Sequence, residues 1–105
     1  MPFLHIVLVK VKPEVLSAEG GLDGFAKQVD TLKSIDVVKQ LCTSVEHGPP
    51  VYTERAQGFN YGLYTTFKNR ADYEVYRDDA GHRDFVKTVM GPNAESVLAY
   101  DWDHP

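Results

Sequence analysis

Apolar residues occupy both alternating faces of the first run, Phe3 to Val11. Phe3, His5, Val7, Val9 and Val11 share one face; Leu4, Ile6 and Leu8 share the other. A strand patterned this way is covered on both sides. Pro13 ends it, because proline cannot donate to a ladder. Beyond the linker Ser17–Gly21, Leu22, Phe25, Ala26, Val29 and Leu32 recur at helical spacing and predict an amphipathic helix that buries one stripe.

A second strand is predicted over Val37 to Val45, with Val37, Leu41 and Val45 on one face and Val38 and Cys42 on the other. Gly48-Pro49-Pro50 breaks it, and the polar segment to Gln57 reads as a loop. Gly58 to Phe67 is the third strand, with Phe59, Tyr61, Leu63, Thr65 and Phe67 on one face. Asn69 followed by Asp72 marks a helix start that leads through Tyr76. A further helix spans about Ala80 to Met90, capped by Asp78 or Asp79. Its apolar face holds His82, Phe85, Val86 and Val89. Gly91-Pro92 stops it, and Ser96 to Trp102 makes the fourth strand.

The order strand, helix, strand, strand, helix, strand predicts an α+β, ferredoxin-like arrangement: an antiparallel four-stranded sheet with helices on one face. Residues 1–105 then form a single domain, as the length suggests. The doubly apolar first strand implies a cover on the sheet face away from the helices. A second copy of the chain is the expected cover, giving a homodimer through the sheet face with Tyr64 and Thr66 near the interface. The competing expectation is a monomer with an oily face, which solubility disfavours.

Composition narrows the function classes. With 43% apolar and 25% charged residues, the chain is an ordinary globular mixture. A net charge of −4 without any basic run argues against nucleic acid as a partner. Cys42 is the only cysteine, so neither an internal disulfide nor a cysteine-based metal cluster is expected. Nothing approaches the roughly 18 consecutive apolar residues of a membrane span. The N-terminus has no secretory pattern, so a soluble protein of a reducing compartment, most simply the cytoplasm, is expected.

The candidate chemistry lies in the histidines. Of four, His5 sits inside the first strand and His82 on the apolar face of a helix. A buried imidazole without a partner is costly, so both placements need a reason. Two hydrogen-bonded core histidines would be one. A small-molecule pocket with His82, Tyr76 and His5 as its acid/base groups would be the other. His47 and His104 are expected in solvent. A metal site is disfavoured, since no tight His-x-x-His or His-Glu pair is present and catalytic metals want three or four ligands. The Tyr52–Gln57 loop, carrying Glu54 and Arg55, reads as a lid or, more simply, a solvated turn.

These residues resemble a family. The opening Met-Pro-Phe-Leu-His-Ile-Val-Leu-Val-Lys-Val-Lys is similar to the His-x-Val-Leu-x-Lys-x-Lys strand of stress-responsive α/β-barrel (Dabb) domains. The stretch from Gly58 to Phe67 looks like their third strand. Tyr76-x5-His82-x2-Phe85, Pro92 and Val97-Leu98-Ala99-Tyr100-Asp101 complete the pattern. The resemblance implies a dimeric α+β barrel and, from polyketide cyclases of the olivetolic acid cyclase type, a cofactor-free intramolecular aldol cyclisation. His5, Tyr76 and His82 match pocket residues of those cyclases. The chain departs from them at Tyr61, where they carry a further pocket histidine. It departs again at Asp78-Asp79-Ala80-Gly81-His82, which lacks the usual His-Pro pair.

Under that reading His82 is the general base, kept neutral by burial and by the start of its helix. Tyr76 donates to the developing oxyanion or orients His82. His5 and Tyr61 bind substrate oxygens, and Phe25, Val29, Leu63, Phe85 and Val89 are the expected apolar walls. Related lyase or isomerase chemistry on a poly-β-keto or phenolic substrate falls in the same class. A non-catalytic dimeric stress protein with a ligand pocket is the alternative, and a cofactor-free oxygenase a third. For each residue a packing role competes: a core tyrosine at position 76, a structural histidine at 82, a strand aromatic at 61.

Overall fold

In the computed structural model, which describes residues 1–105, four antiparallel strands form one sheet in the order β2-β3-β1-β4. They are β1 (Phe3–Val11), β2 (Cys42–Gly48), β3 (Tyr61–Phe67) and β4 (Ala94–Asp103). The helices are α1 (Pro13–Ser17), α2 (Gly21–Asp30), α3 (Asp36–Leu41), α4 (Arg70–Asp78) and α5 (Ala80–Phe85). The expected α+β, ferredoxin-like arrangement is therefore present.

Period-2 alternation sets the two faces of the sheet. On the inner one Phe3, Val7, Val9 and Val11 of β1 join Tyr61, Leu63 and Phe67 of β3, all buried. The helices close over this face with Phe25, Val29, Leu32, Val37, Val38, Tyr76, Phe85, Val89 and Met90, making one core. On the outer face the register pairs Leu4 with Trp102, Ile6 with Tyr100 and Leu8 with Leu98. Tyr64 and Thr66 sit beside Ile6 and Leu4 on that face. Tyr100 is 64% exposed, and Leu98 and Trp102 are partly exposed beside it.

Several elements differ from the sequence expectation: a short helix, α1, follows β1, the fourth strand runs from Ala94 to Asp103 rather than Ser96 to Trp102, and two strand starts shift. The second strand, expected from Val37, begins only at Cys42, and Asp36–Leu41 is helical. Val37, Val38 and Leu41 satisfy a helical stripe as well as an alternating one, and burial of Val37 and Val38 under the helical layer decides it. The third strand, expected from Gly58, begins at Tyr61. Gln57 and Gly58 both hold positive φ (54° and 87°), which turns the chain before the ladder can start. The Tyr52–Gln57 loop carries one exposed helical turn, Thr53–Arg55. Arg55, Ala56 and Gln57 line a cleft with Leu8, Gly62 and Leu98 on the outer sheet face. The loop is thus no lid over the inner face.

The helix predicted over 80–90 changes pitch within its length. After α5 the chain makes a π turn, Val86–Met90, in which the Gly91 N–H donates to the Val86 carbonyl. Asn93 braces its end, its amide donating to the Val89 carbonyl at 2.7 Å and to the Gln28 side chain at 3.1 Å.

Candidate active site

The sheet and the α4–α5 layer diverge at one end and leave a cavity of about 410 Å³ between them. That volume lies in the range of small-molecule sites. His5, Val7 and Leu63 form its floor, and Tyr73, Tyr76, His82, Phe85, Val86 and Met90 form its helical wall. Gly91, Ala94, Glu95, Ser96 and Val97 form the rim where the wall passes into β4.

Asn69 and Asp79 set the two helices that carry the key side chains. The Asn69 carboxamide accepts from the Asp72 N–H at 2.8 Å and fixes the start of α4. The Asp79 carboxylate accepts from the N–H groups of Gly81 (2.8 Å) and His82 (3.2 Å), which starts α5 one residue after α4 ends. Gly81 makes this turn possible. A Cβ there would lie 2.9 Å from an Ile35 methyl and 3.0 Å from the Asp79 carboxylate. Tyr76 and His82 are thereby folded together, ring centroids 4.0 Å apart and planes inclined by 37°.

The tautomer of His82 follows from its partner. Its Nδ1 lies 3.2 Å from the Arg77 carbonyl, and a carbonyl only accepts, so Nδ1 carries the proton. In the neutral ring Nε2 is then the free lone pair. Burial holds the His82 pKa below its ordinary value; the Arg77 carbonyl opposes this, and His5 adds to it. Burial, rather than the start of the helix, is the leading cause of the neutral ring.

Tyr76 is 1% exposed and packs against Phe67, Tyr73 and His5 as well as His82. Burial pushes its phenol well above the usual tyrosine range, so it stays a proton donor at neutral pH. Its hydroxyl makes no hydrogen bond within the protein. No sealed side-chain polar atom lacks a partner, so that hydroxyl is not fully closed off, and Tyr76 is among the residues that line the cavity.

His5, 7% exposed, turns Nδ1 to the Asp101 carboxylate directly across the β1–β4 ladder. A carboxylate accepts, so Nδ1 donates and Nε2 is left toward the cavity. Asp101 appeared in the sequence only as part of the fourth-strand motif. Its role needs the strand register, which places residues 5 and 101 on one face.

Of the expected site residues, His5, Leu63, Tyr76, His82 and Phe85 meet at the cavity. Tyr61, Phe25, Val29 and Val89 do not line it. Tyr61 meets Phe25 edge-on at 5.2 Å, and Val29 and Val89 are buried in the core. The π turn accounts for Val89: the added residue carries it into the core and brings Met90 to the cavity. Tyr73, missed in the sequence, stands one helical turn before Tyr76 and meets the His5 ring at 4.9 Å.

His47 is a second correction. Expected in solvent, its side chain is only 11% exposed, on β2. Asp30 accepts from its Nε2 at 2.8 Å, which leaves Nδ1 to accept from the Tyr61 hydroxyl at 2.5 Å. Asp30, His47 and Tyr61 thus tie the end of α2 to the sheet. His47 holds the Asp30 carboxyl below its usual range, with Lys33 helping. His104 is exposed, as expected.

No group of three or more His, Cys, Asp or Glu side chains is placed to hold a metal ion. Cys42 has its thiol pushed up to about 12 by burial, which makes it a poor nucleophile. No helix is long and apolar enough to cross a membrane.

The family model of the stress responsive A/B barrel domain matches residues 3–104. The chain belongs to the Dabb family. Among curated proteins, no sequence matches this Dabb domain. Solved structures share its fold. A Dabb family protein with a ferredoxin-like fold from Mesorhizobium loti is 23% identical, with 99% of this chain and 97% of that one covered and a TM-score of 0.75. A dimeric protein of unknown function from Bacteroides fragilis is 23% identical over 98% and 96% of the two chains, with a TM-score of 0.74. The hydroxynitrile lyase of Passiflora edulis is 21% identical over 99% and 97%, with a TM-score of 0.77. At such identities the likeness carries the fold, and the chemistry has to be argued from the cavity.

Proposed function

We propose that this Dabb domain is a cofactor-independent, polyketide cyclase-like enzyme that closes a poly-β-keto or phenolic substrate by intramolecular aldol addition. The observation that carries this reading is the free Nε2 of His82, its tautomer fixed by the Arg77 carbonyl, on a ring packed against that of Tyr76 at an apolar cavity both residues line. His82 Nε2 takes a proton from a carbon between two carbonyls. The enolate electron pair attacks a second carbonyl carbon of the same chain, the Tyr76 hydroxyl gives its proton to the oxygen that becomes an alkoxide, and the proton held by His82 passes to Tyr76, which restores both groups. Water-poor walls strengthen both steps. His5, whose Nδ1 proton is given to Asp101, accepts from an enol or phenol O–H of the substrate at Nε2. The same base and donor suit lyase chemistry such as cyanohydrin cleavage, the class to which the Passiflora edulis neighbour belongs by name.

The working unit in this reading is a homodimer through the outer sheet face. Leu98, Tyr100 and Trp102 supply its apolar surface, and the Bacteroides fragilis neighbour is described as dimeric. A second reading, a dimeric stress protein that binds a ligand without turning it over, draws support from Tyr61. Its hydroxyl is committed to His47 and leaves the third strand without a polar group for the substrate.

Incubation with a synthetic poly-β-keto thioester, followed by mass spectrometry for ring-closed product, tests the first reading. Mandelonitrile cleavage tests the lyase variant. Product from the wild type but not from His82→Ala is expected. Saturable binding of the thioester with neither product would favour the ligand-binding protein.

A further inference from the structure

His5 and Asp101 stand in a wall between two openings. The His5 ring lines the main cavity, which Asp101 does not reach. The Asp101 side chain, 31% exposed, lines a separate cleft with Phe3, Arg70, Tyr73, Glu74 and Arg77. Tyr73 is the partition. It faces His5 at 4.9 Å and Phe3 at 4.7 Å, and it belongs to both openings. One imidazole therefore has Nε2 toward the cavity and Nδ1 on a carboxylate that water reaches from the other side.

We infer that the His5–Asp101 pair is a proton relay joining the apolar cavity to the Arg70–Arg77 cleft. This deepens the proposed acid/base function and rests on it. Orientation alone would not require the carboxylate to be reached by solvent, and the aspartate of the serine-protease triad does its orienting buried. The cycle balances. Nε2 takes a proton from the cavity while the Nδ1 proton passes to Asp101 and on to water or a buffer base in the cleft. The ring is then protonated at Nε2. It later gives that proton to an oxyanion in the cavity and regains one at Nδ1 through Asp101. No net proton is consumed, and the cavity need not open to water between turnovers. Arg70 and Arg77 line the cleft beside Glu74, each already paired with a carboxylate, Asp103 and Asp78, so a small mobile buffer base such as phosphate meets Asp101 by diffusion rather than by charge attraction.

The test is exchange of the His5 ring N–H with water, read by 15N-edited NMR of the whole protein without substrate while inorganic phosphate is raised at fixed pH. The wild type should exchange faster as phosphate rises. Asp101→Asn should exchange at least about tenfold more slowly, in the range set by loss of a general acid/base, and should ignore phosphate. His82→Ala should behave as the wild type. Exchange that is independent of phosphate in the wild type overturns the relay, a result that needs no variant to fold. So does Asp101→Asn exchange that still climbs with phosphate. Failure of the thioester assay beside phosphate-dependent exchange would sink the proposed reaction and leave the relay standing.

Discussion

The imidazole of His82 lies against the phenol ring of Tyr76 at 4.0 Å between centroids, although six positions and a helix break separate them in the chain. The contact exists because Asp79 ends α4 and starts α5 in the same residue, accepting from two N–H groups of the new helix. The proposed base and acid are thus mounted on different helices and set by one carboxylate.

Replacing the base without disturbing the core is the first test. His82 is only partly buried, so His82→Gln should keep the fold by circular dichroism. Turnover of the thioester should fall by roughly 10²- to 10⁴-fold, the usual loss for a general base.

The pH dependence has a definite sign. The folded pKa of His82 lies below its ordinary value of 6.5, mainly through burial. The neutral, active ring then persists below pH 6.5, and rate should fall only as pH drops through the lowered folded value. Between the two values the unfolded chain binds the proton and the folded one does not, so stability should also decline with falling pH there. Above pH 6.5 this contribution is complete. An imidazole titration by NMR with a midpoint at or above 6.5 for His82 would contradict both.

Tyr76 separates chemistry from packing. Its hydroxyl makes no hydrogen bond within the protein, so Tyr76→Phe should leave the urea midpoint nearly unchanged while lowering turnover. Tyr76→Ala removes a buried ring and should cost about 3–5 kcal/mol, by comparison with other large aromatic truncations.

Gly81 should tolerate no side chain. In Gly81→Ala the new methyl meets Ile35 and the Asp79 carboxylate within 3.0 Å, which displaces the cap of α5. A loss of about 1–2 kcal/mol is expected from the cap alone, with weakened activity as His82 shifts. Urea unfolding and the thioester assay measure the two effects.

The Asp30–His47–Tyr61 chain gives the reverse pattern. His47→Ala leaves the buried Tyr61 hydroxyl without its partner and should cost about 1–3 kcal/mol. Because Tyr61 does not line the cavity, turnover per folded molecule should be unchanged.

Much of this was legible in the sequence because it depends on local spacing. Alternation in β1 and β3, the Asn69 cap and the His82–Phe85–Val86 stripe all follow from neighbours a few residues apart. Asp36–Leu41 was not, since its valines fit either period and only packing under the helical layer decides. His47 and Asp101 were not, because each takes its role from a partner brought close by strand register or helix docking. Tyr61 was placed on the correct face, but the face alone does not say whether a hydroxyl turns to the cavity or to β2.

The π turn at Val86–Met90 lies beyond His82, on the far side of the base from its anchoring cap. In an ordinary helix each residue advances the surface by about 100°. Removing one residue here would let the turn relax to α-helical pitch and swing everything after it by about that angle, while the base keeps its place. A one-residue change in length can therefore re-line the wall with different side chains at a single stroke. The shape of this cavity can be retuned by a deletion as readily as by a substitution.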